Sequence, residues 1–239
     1  MNIWRAFLMT ATAFFATPTL AADVTARPVA VVELFTSQGC NSCPPADRFL
    51  GELAQRDDVI ALSLHVDYWD YLGWKDSFAS KATTARQHAY ARALGERGVY
   101  TPQMVVGGMA HAIGSDAAAV NRLFEKAKQT ATLALIVERE GANMAVRLPA
   151  ASVPKGAVVW LVEFDARHDV PIARGENSGK TISYHNVVRR LEKLASWDGT
   201  AQRLTLPPAP ANRNGGCAVL IQAGEAGPIL GAVKIDLRS

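Results

Sequence analysis

Residues 29–55 read VAVVELFTSQGCNSCPPADRFLGELAQ. The first seven form a nearly continuous β-rich apolar run, the pattern of a strand buried on both faces. Pro44 and Pro45 then stand where a helix opens, a place that suits proline because the first amides of a helix need no intrahelical partner. Residues 46–55 carry that helix. Between strand and helix lies Cys40-Asn41-Ser42-Cys43. Free amides and the positive end of a helix dipole stabilise a thiolate at such a point, so Cys40 is the expected nucleophile and Cys43 its resolving partner. Two intervening residues let the sulfurs bond, and an exposed Cys40 is expected to make that bond exchangeable.

Outward from this segment, residues 59–66 (VIALSLHV) read as a second strand. Residues 67–98 begin with a cluster of aromatics and acids, continue as a helix through Arg86, Tyr90 and Leu94, and form a helical insertion. Residues 104–106 and 109–113 read as a hairpin, because Gly107-Gly108 suits a tight primed turn. Ser115 or Asp116 is placed to cap a helix through Val120, Leu123, Phe124 and Ala127. From about residue 131 the rhythm changes to short strands at 133–138, 144–148, 158–164, 204–206, 218–222 and 229–237. Residues 187–197 fit both a strand and a helix, and Asp198-Gly199 tips them toward a hairpin. The expectation is an α/β domain over residues 23–130, followed by an antiparallel β-sandwich-like domain over 131–239.

The chain has 239 residues, 49% hydrophobic and 20% charged, with a mean hydropathy of +0.04. That composition excludes a disordered or collagen-like chain. The net charge of +3 includes Arg5, and no basic stripe suggests nucleic acid or anionic lipid as a partner. Residues 1–22 combine an early arginine, an apolar run too short for a bilayer and the small residues Ala21 and Ala22, the pattern of a cleaved export leader. The mature chain is therefore expected in the periplasm or outside the cell, without a stable membrane anchor, where disulfides persist. The odd cysteine, Cys217, opens an apolar strand; it is either a buried inert thiol or a second resolving thiol brought across the domain interface. No phosphate-binding glycine loop, G-x-S-x-G elbow or H-E-x-x-H occurs.

The strand, the C-x-x-C, the helix and the later Thr101-Pro102 together resemble a thioredoxin-type fold. More closely, ELFTSQGCNSCPPAD (33–47), HVDYWDYLGWKD (65–76), VYTPQMVVGG (99–108) and RGENSGKTISYHNVVR (174–189) resemble the secreted family called domain of unknown function 1223. The thioredoxin resemblance implies a cis proline at Pro102 facing the cysteine pair. Pro102 and the backbone of Thr101 would hold a thiol or disulfide partner, either a protein or a small molecule, in an extended pose. It also implies a buried acid beneath the pair, for which Glu33 is the candidate, although a salt-bridged strand-end glutamate fits the same position. No cofactor beyond the redox-active disulfide is expected. The alternatives are a structural pair, or a copper or zinc carrier using Cys40, Cys43 and His65 as ligands. Residues 67–74 would either wall the site or cover the sheet end.

Overall fold

The computed structural model describes residues 24–25, 29–140, 143–153, 156–208 and 214–236; the leader read at residues 1–22 lies outside them. Strand parity organises the first half. β2 (Ala30–Thr36) and β3 (Val59–His65) run parallel, β4 (Gln103–Val106) is antiparallel to β2, and β5 (Ala110–Ile113) is antiparallel to β4. Successive side chains of a strand point to opposite faces. Ala30, Val32, Leu34, Val59 and Ala61 therefore meet α1 (Pro44–Leu53) and α3 (Ala117–Lys128) on one face. Val31, Phe35, Ile60, Leu62 and Leu64 meet Tyr90 of α2 (Lys81–Leu94) on the other.

Local chemistry sets the ends of these elements. Cys43 is the N-cap of α1 with proline directly after it. The Ser80 hydroxyl accepts from the Thr83 amide at the start of α2, and the Asp116 carboxylate accepts from the Ala119 amide at the start of α3. Gly107 and Gly108 both hold positive φ, +62° and +66°, which a two-residue hairpin of the primed type requires. Such caps contribute about 1 kcal/mol each.

The second half continues the same sheet. β8 (Ala157–Pro171) and β9 (Thr181–Trp197) form a long antiparallel hairpin, and β9 joins β3 at Ser63 and Val187. β11 (Gly215–Ala223) pairs with β8, and β12 (Ile229–Asp236) pairs with β11. The result is an eight-stranded sheet in the order β12-β11-β8-β9-β3-β2-β4-β5. A four-stranded sheet has the order β1-β6-β7-β10: β1 (Val24–Thr25), β6 (Ile136–Glu140), β7 (Asn143–Leu148) and β10 (Gln202–Thr205). Leu135, Val137, Val146 and Leu148 share an apolar core with Val159, Leu161, Val219 and Ile221 of the large sheet. The architecture is a mixed α/β fold with a large, mostly β sheet and few helices. Among the described residues, no helix is long and apolar enough to cross a membrane.

One expectation changes. Residues 187–197 belong to a single strand, and Asp198-Gly199 does not close a hairpin onto the next one. β10 pairs with β7 of the other sheet. The buried Trp197 donates its indole N–H to the Thr200 carbonyl (2.7 Å) and turns the chain across. At Gly199 an added Cβ would lie 2.1 Å from the Ala151 carbonyl oxygen, so the crossing passes too close for a side chain.

Candidate functional site

Cys40 and Cys43 are joined as a disulfide at the N-terminus of α1, with their Cα atoms 5.4 Å apart. Asn41 and Ser42 are exposed, yet Cys40 is only 1% exposed and Cys43 is buried. The expectation of an open Cys40 is therefore corrected: the reactive position is covered. The cover comes from loops distant in sequence. Trp69 packs on Gly39, where a Cβ would come within 3.3 Å of the indole's own Cβ. Its N–H donates to the Thr101 hydroxyl (2.8 Å). Trp74 donates its indole N–H to the Gln38 side-chain oxygen (2.8 Å). Of the two readings of the aromatic loop, these bonds favour the wall of the site.

The Thr101–Pro102 peptide is cis. Pro102 reaches the start of α1 through Gly114, where an added Cβ would lie 2.9 Å from the Cβ of Ala46 and 3.2 Å from that of Pro102. Helix α2 supports this segment from the side, since the Gln87 amide donates to the Tyr100 carbonyl and to the Gln103 side chain (2.8 Å each).

Glu33 stands on the face of β2 opposite α1. Arg86 grips it through Nε to Oε1 (2.5 Å) and Nη2 to Oε2 (3.0 Å), and the Tyr90 hydroxyl donates to Oε2 as well. This is the ion-paired alternative, built into the sheet core rather than beneath the cysteines. The acid on the α1 face is Asp47, four residues after Cys43 and on the same side of the helix. Its amide donates to the Cys43 carbonyl (3.1 Å). Neither carboxyl oxygen has a hydrogen-bond partner. Burial pushes its pKa from 3.8 up to about 7, against the opposing pull of His65 and the nearby Thr36 hydroxyl.

His65 lies beside this acid. Its Nδ1 bonds Asp76 Oδ2 (2.7 Å), and its Nε2 is buried without a partner, as is the Tyr184 hydroxyl. Tyr184 stacks edge-on against the imidazole at 4.6 Å. Asp76 also accepts from the Gln38 and Phe78 amides (2.8 and 2.9 Å). Burial alone would raise its pKa, but His65 and these amides hold it below the usual carboxylate value. Among the described residues, no three His, Cys, Asp or Glu side chains group as a metal-ligand set. Cys217 lies in the core between the two sheets, where burial, and then Glu163, push its thiol up to about 12.

The sequence reading names Cys40, Cys43, Thr101 and Pro102, and misses Asp47, Asp76, Gln38 and Asn177. Asp47 left one signal: a carboxylate between the core residues Ala46 and Leu50 of an amphipathic helix. Chemically, the pair offers a disulfide at a helix N-terminus, where a departing Cys40 thiolate is stabilised, and a buried acid one helical turn along α1 from Cys43.

The profile of the family described as "Protein of unknown function (DUF1223)" matches residues 31–222. No curated protein matches the chain. The crystal structure of protein AGR_C_4864 from Agrobacterium tumefaciens is 39% identical, with a TM-score of 0.77, over 88% of this chain and 95% of that one. HBP35 of Porphyromonas gingivalis shares the fold at 14% identity and a TM-score of 0.59, over 89% of this chain and 76% of that one.

Proposed function

The chain belongs to the DUF1223 family, and from the site that this member carries we propose an exported thiol-disulfide oxidoreductase with a thioredoxin-type unit over residues 23–130. Residues 1–22 act as its export leader, and the β-rich second half completes the walls of the site. The observation that carries the reading is the Cys40–Cys43 disulfide at the opening of α1, with the cis Thr101–Pro102 peptide reaching the same helix start through Gly114.

A partner thiolate attacks the Cys40 sulfur, the Cys40–Cys43 bond breaks, and Cys43 leaves with the electron pair. Asp47, neutral below about pH 7, donates a proton to that sulfur. The partner's second thiolate then attacks its own sulfur in the mixed disulfide, and Cys40 leaves as a thiolate. The partner is oxidised to a disulfide and the protein is reduced to a dithiol; an external disulfide restores the pair by the reverse steps. Cys40→Ser tests the reading. The variant should lose catalysed oxidation of a model dithiol while keeping its thermal transition near the parent's, because a disulfide between residues only three apart restrains the unfolded chain little. Full activity in Cys40→Ser would overturn it.

A further inference from the structure

The β8–β9 hairpin ends in a tip, residues 172–180, of which only Ile172 and Asn177 are buried. Asn177 is 0% exposed. Its Nδ2 donates both to the Gln38 carbonyl (3.0 Å) and to the Cys40 carbonyl (2.9 Å), and its Oδ1 accepts from Lys180 Nζ (2.9 Å). A side chain from the second half of the chain thus holds the backbone of the reactive cysteine. Beside it, an added Cβ on Gly175 would lie 3.4 Å from Trp74 Cβ and 3.6 Å from the Leu72 carbonyl oxygen. Trp74 in turn holds the Gln38 side chain, and the Gln38 amide is held by Asp76. Tip, aromatic loop and residues 37–40 are thus bonded into one unit around Cys40, which is buried and whose sulfur must be approached in line to react.

Ile172 anchors the base of the tip in an apolar cluster with Ile182, Tyr184 and Trp74. Beyond it, residues 173–180 are exposed apart from Asn177, so the hold of this outer part on residues 37–40 is concentrated in the Asn177 bonds and the contact at Gly175. A cover held by so few contacts opens locally without unfolding the sheet behind it. We propose that the hairpin tip is a cap latched by Asn177, and that this latch makes the site selective for small thiols over the thiols of folded proteins. The inference rests on the thiol-disulfide reading for its substrate class. A small thiol needs only a slight displacement of the tip, whereas a folded partner needs the whole tip lifted from Cys40. Asn177 touches no reacting atom in this scheme; it is a positioning residue that sets specificity.

The test measures how fast the Cys40–Cys43 disulfide of the full folded chain is reduced by dithiothreitol and, separately, by a reduced thioredoxin. Each rate is divided into that of an oxidised peptide of residues 38–45, which has no cap. The parent should be protected far more against the protein dithiol than against dithiothreitol. Asn177→Ala should lower protection against the protein dithiol by about tenfold or more and against dithiothreitol much less. Asn177→Asp, which keeps the shape but loses both donated bonds, should behave alike, and a cooperative melt confirms that each variant is folded. Equal protection of the parent against both reductants, or folded variants with unchanged protection, would overturn the proposal. The latch and the catalytic reading fail separately: size-dependent protection in a chain that oxidises no dithiol would remove the oxidoreductase and leave the cap.

Discussion

Asp47→Asn probes the acid beneath the disulfide. In the folded chain, burial raises this carboxyl from 3.8 to about 7; in the unfolded chain it ionises near its ordinary value. Between about pH 4 and pH 7 the folded state therefore holds a proton that the unfolded state has released. Stability from this group is fully present below about pH 4, falls by about 1.4 kcal/mol per pH unit as pH rises, and levels off above about pH 7. The whole loss is about 4 kcal/mol. The groups that face the carboxyl are His65 on β3, Thr36 on β2, Arg48 on α1, Asp76 in the loop before α2 and Tyr184 on β9. His65, Thr36 and Arg48 favour its charge, Asp76 opposes it, and burial outweighs them. Asparagine keeps the shape and stays neutral at every pH. The variant should match the parent to within about 0.5 kcal/mol at pH 4 and exceed it by about 4 kcal/mol at pH 8. Urea unfolding of the oxidised proteins, followed by tryptophan fluorescence at half-unit steps across this range, gives the difference directly. A difference that is flat with pH, or that grows toward acid, would show that burial does not hold Asp47 neutral in the folded chain.

Arg86→Met should cost about 3–5 kcal/mol in the same unfolding assay, because it leaves Glu33 as an unpaired charge in the core, and adding Glu33→Leu should recover much of it. A single-variant loss under about 1 kcal/mol would show that the pair is not needed. Native Cys217 should resist iodoacetamide at about pH 8 and react once the chain is unfolded in urea, since only a trace of a thiol held near 12 is ionised there. Labelling of the folded chain at the unfolded rate would contradict its place in the core.

Much of the first half is legible because its signals are local. Val29 to Phe35, the prolines after Cys43, Gly107-Gly108 and Asp116 each carry their structure within a few residues. What stays hidden depends on which layer covers which face. Glu33 and Thr36 lie on one short strand, yet parity sends the first to α2 and the second to α1, and only the placement of the helices decides between them. Asp47 becomes the acid of the site for the same reason. The join of β9 to β3 at Ser63 and Val187 spans more than a hundred residues, and no periodicity announces it. Asn177 sits in a polar tip that reads as an ordinary turn until its amide is seen bonding the Cys40 carbonyl. Cys40 is buried among such long-range contacts, Asn177 at its carbonyl and Trp69 beside Gly39, so a motif that promises an open nucleophile proves to be a covered one.

The most direct test of dithiol–disulfide catalysis at this site is the redox potential of the Cys40–Cys43 pair in the folded chain, measured by equilibration against glutathione buffers with the dithiol trapped by alkylation. A catalytic pair should give a reversible two-electron transition above about −230 mV, within the range of dithiol oxidants and isomerases. A pair that stays oxidised below about −300 mV would be a structural disulfide and would contradict catalysis.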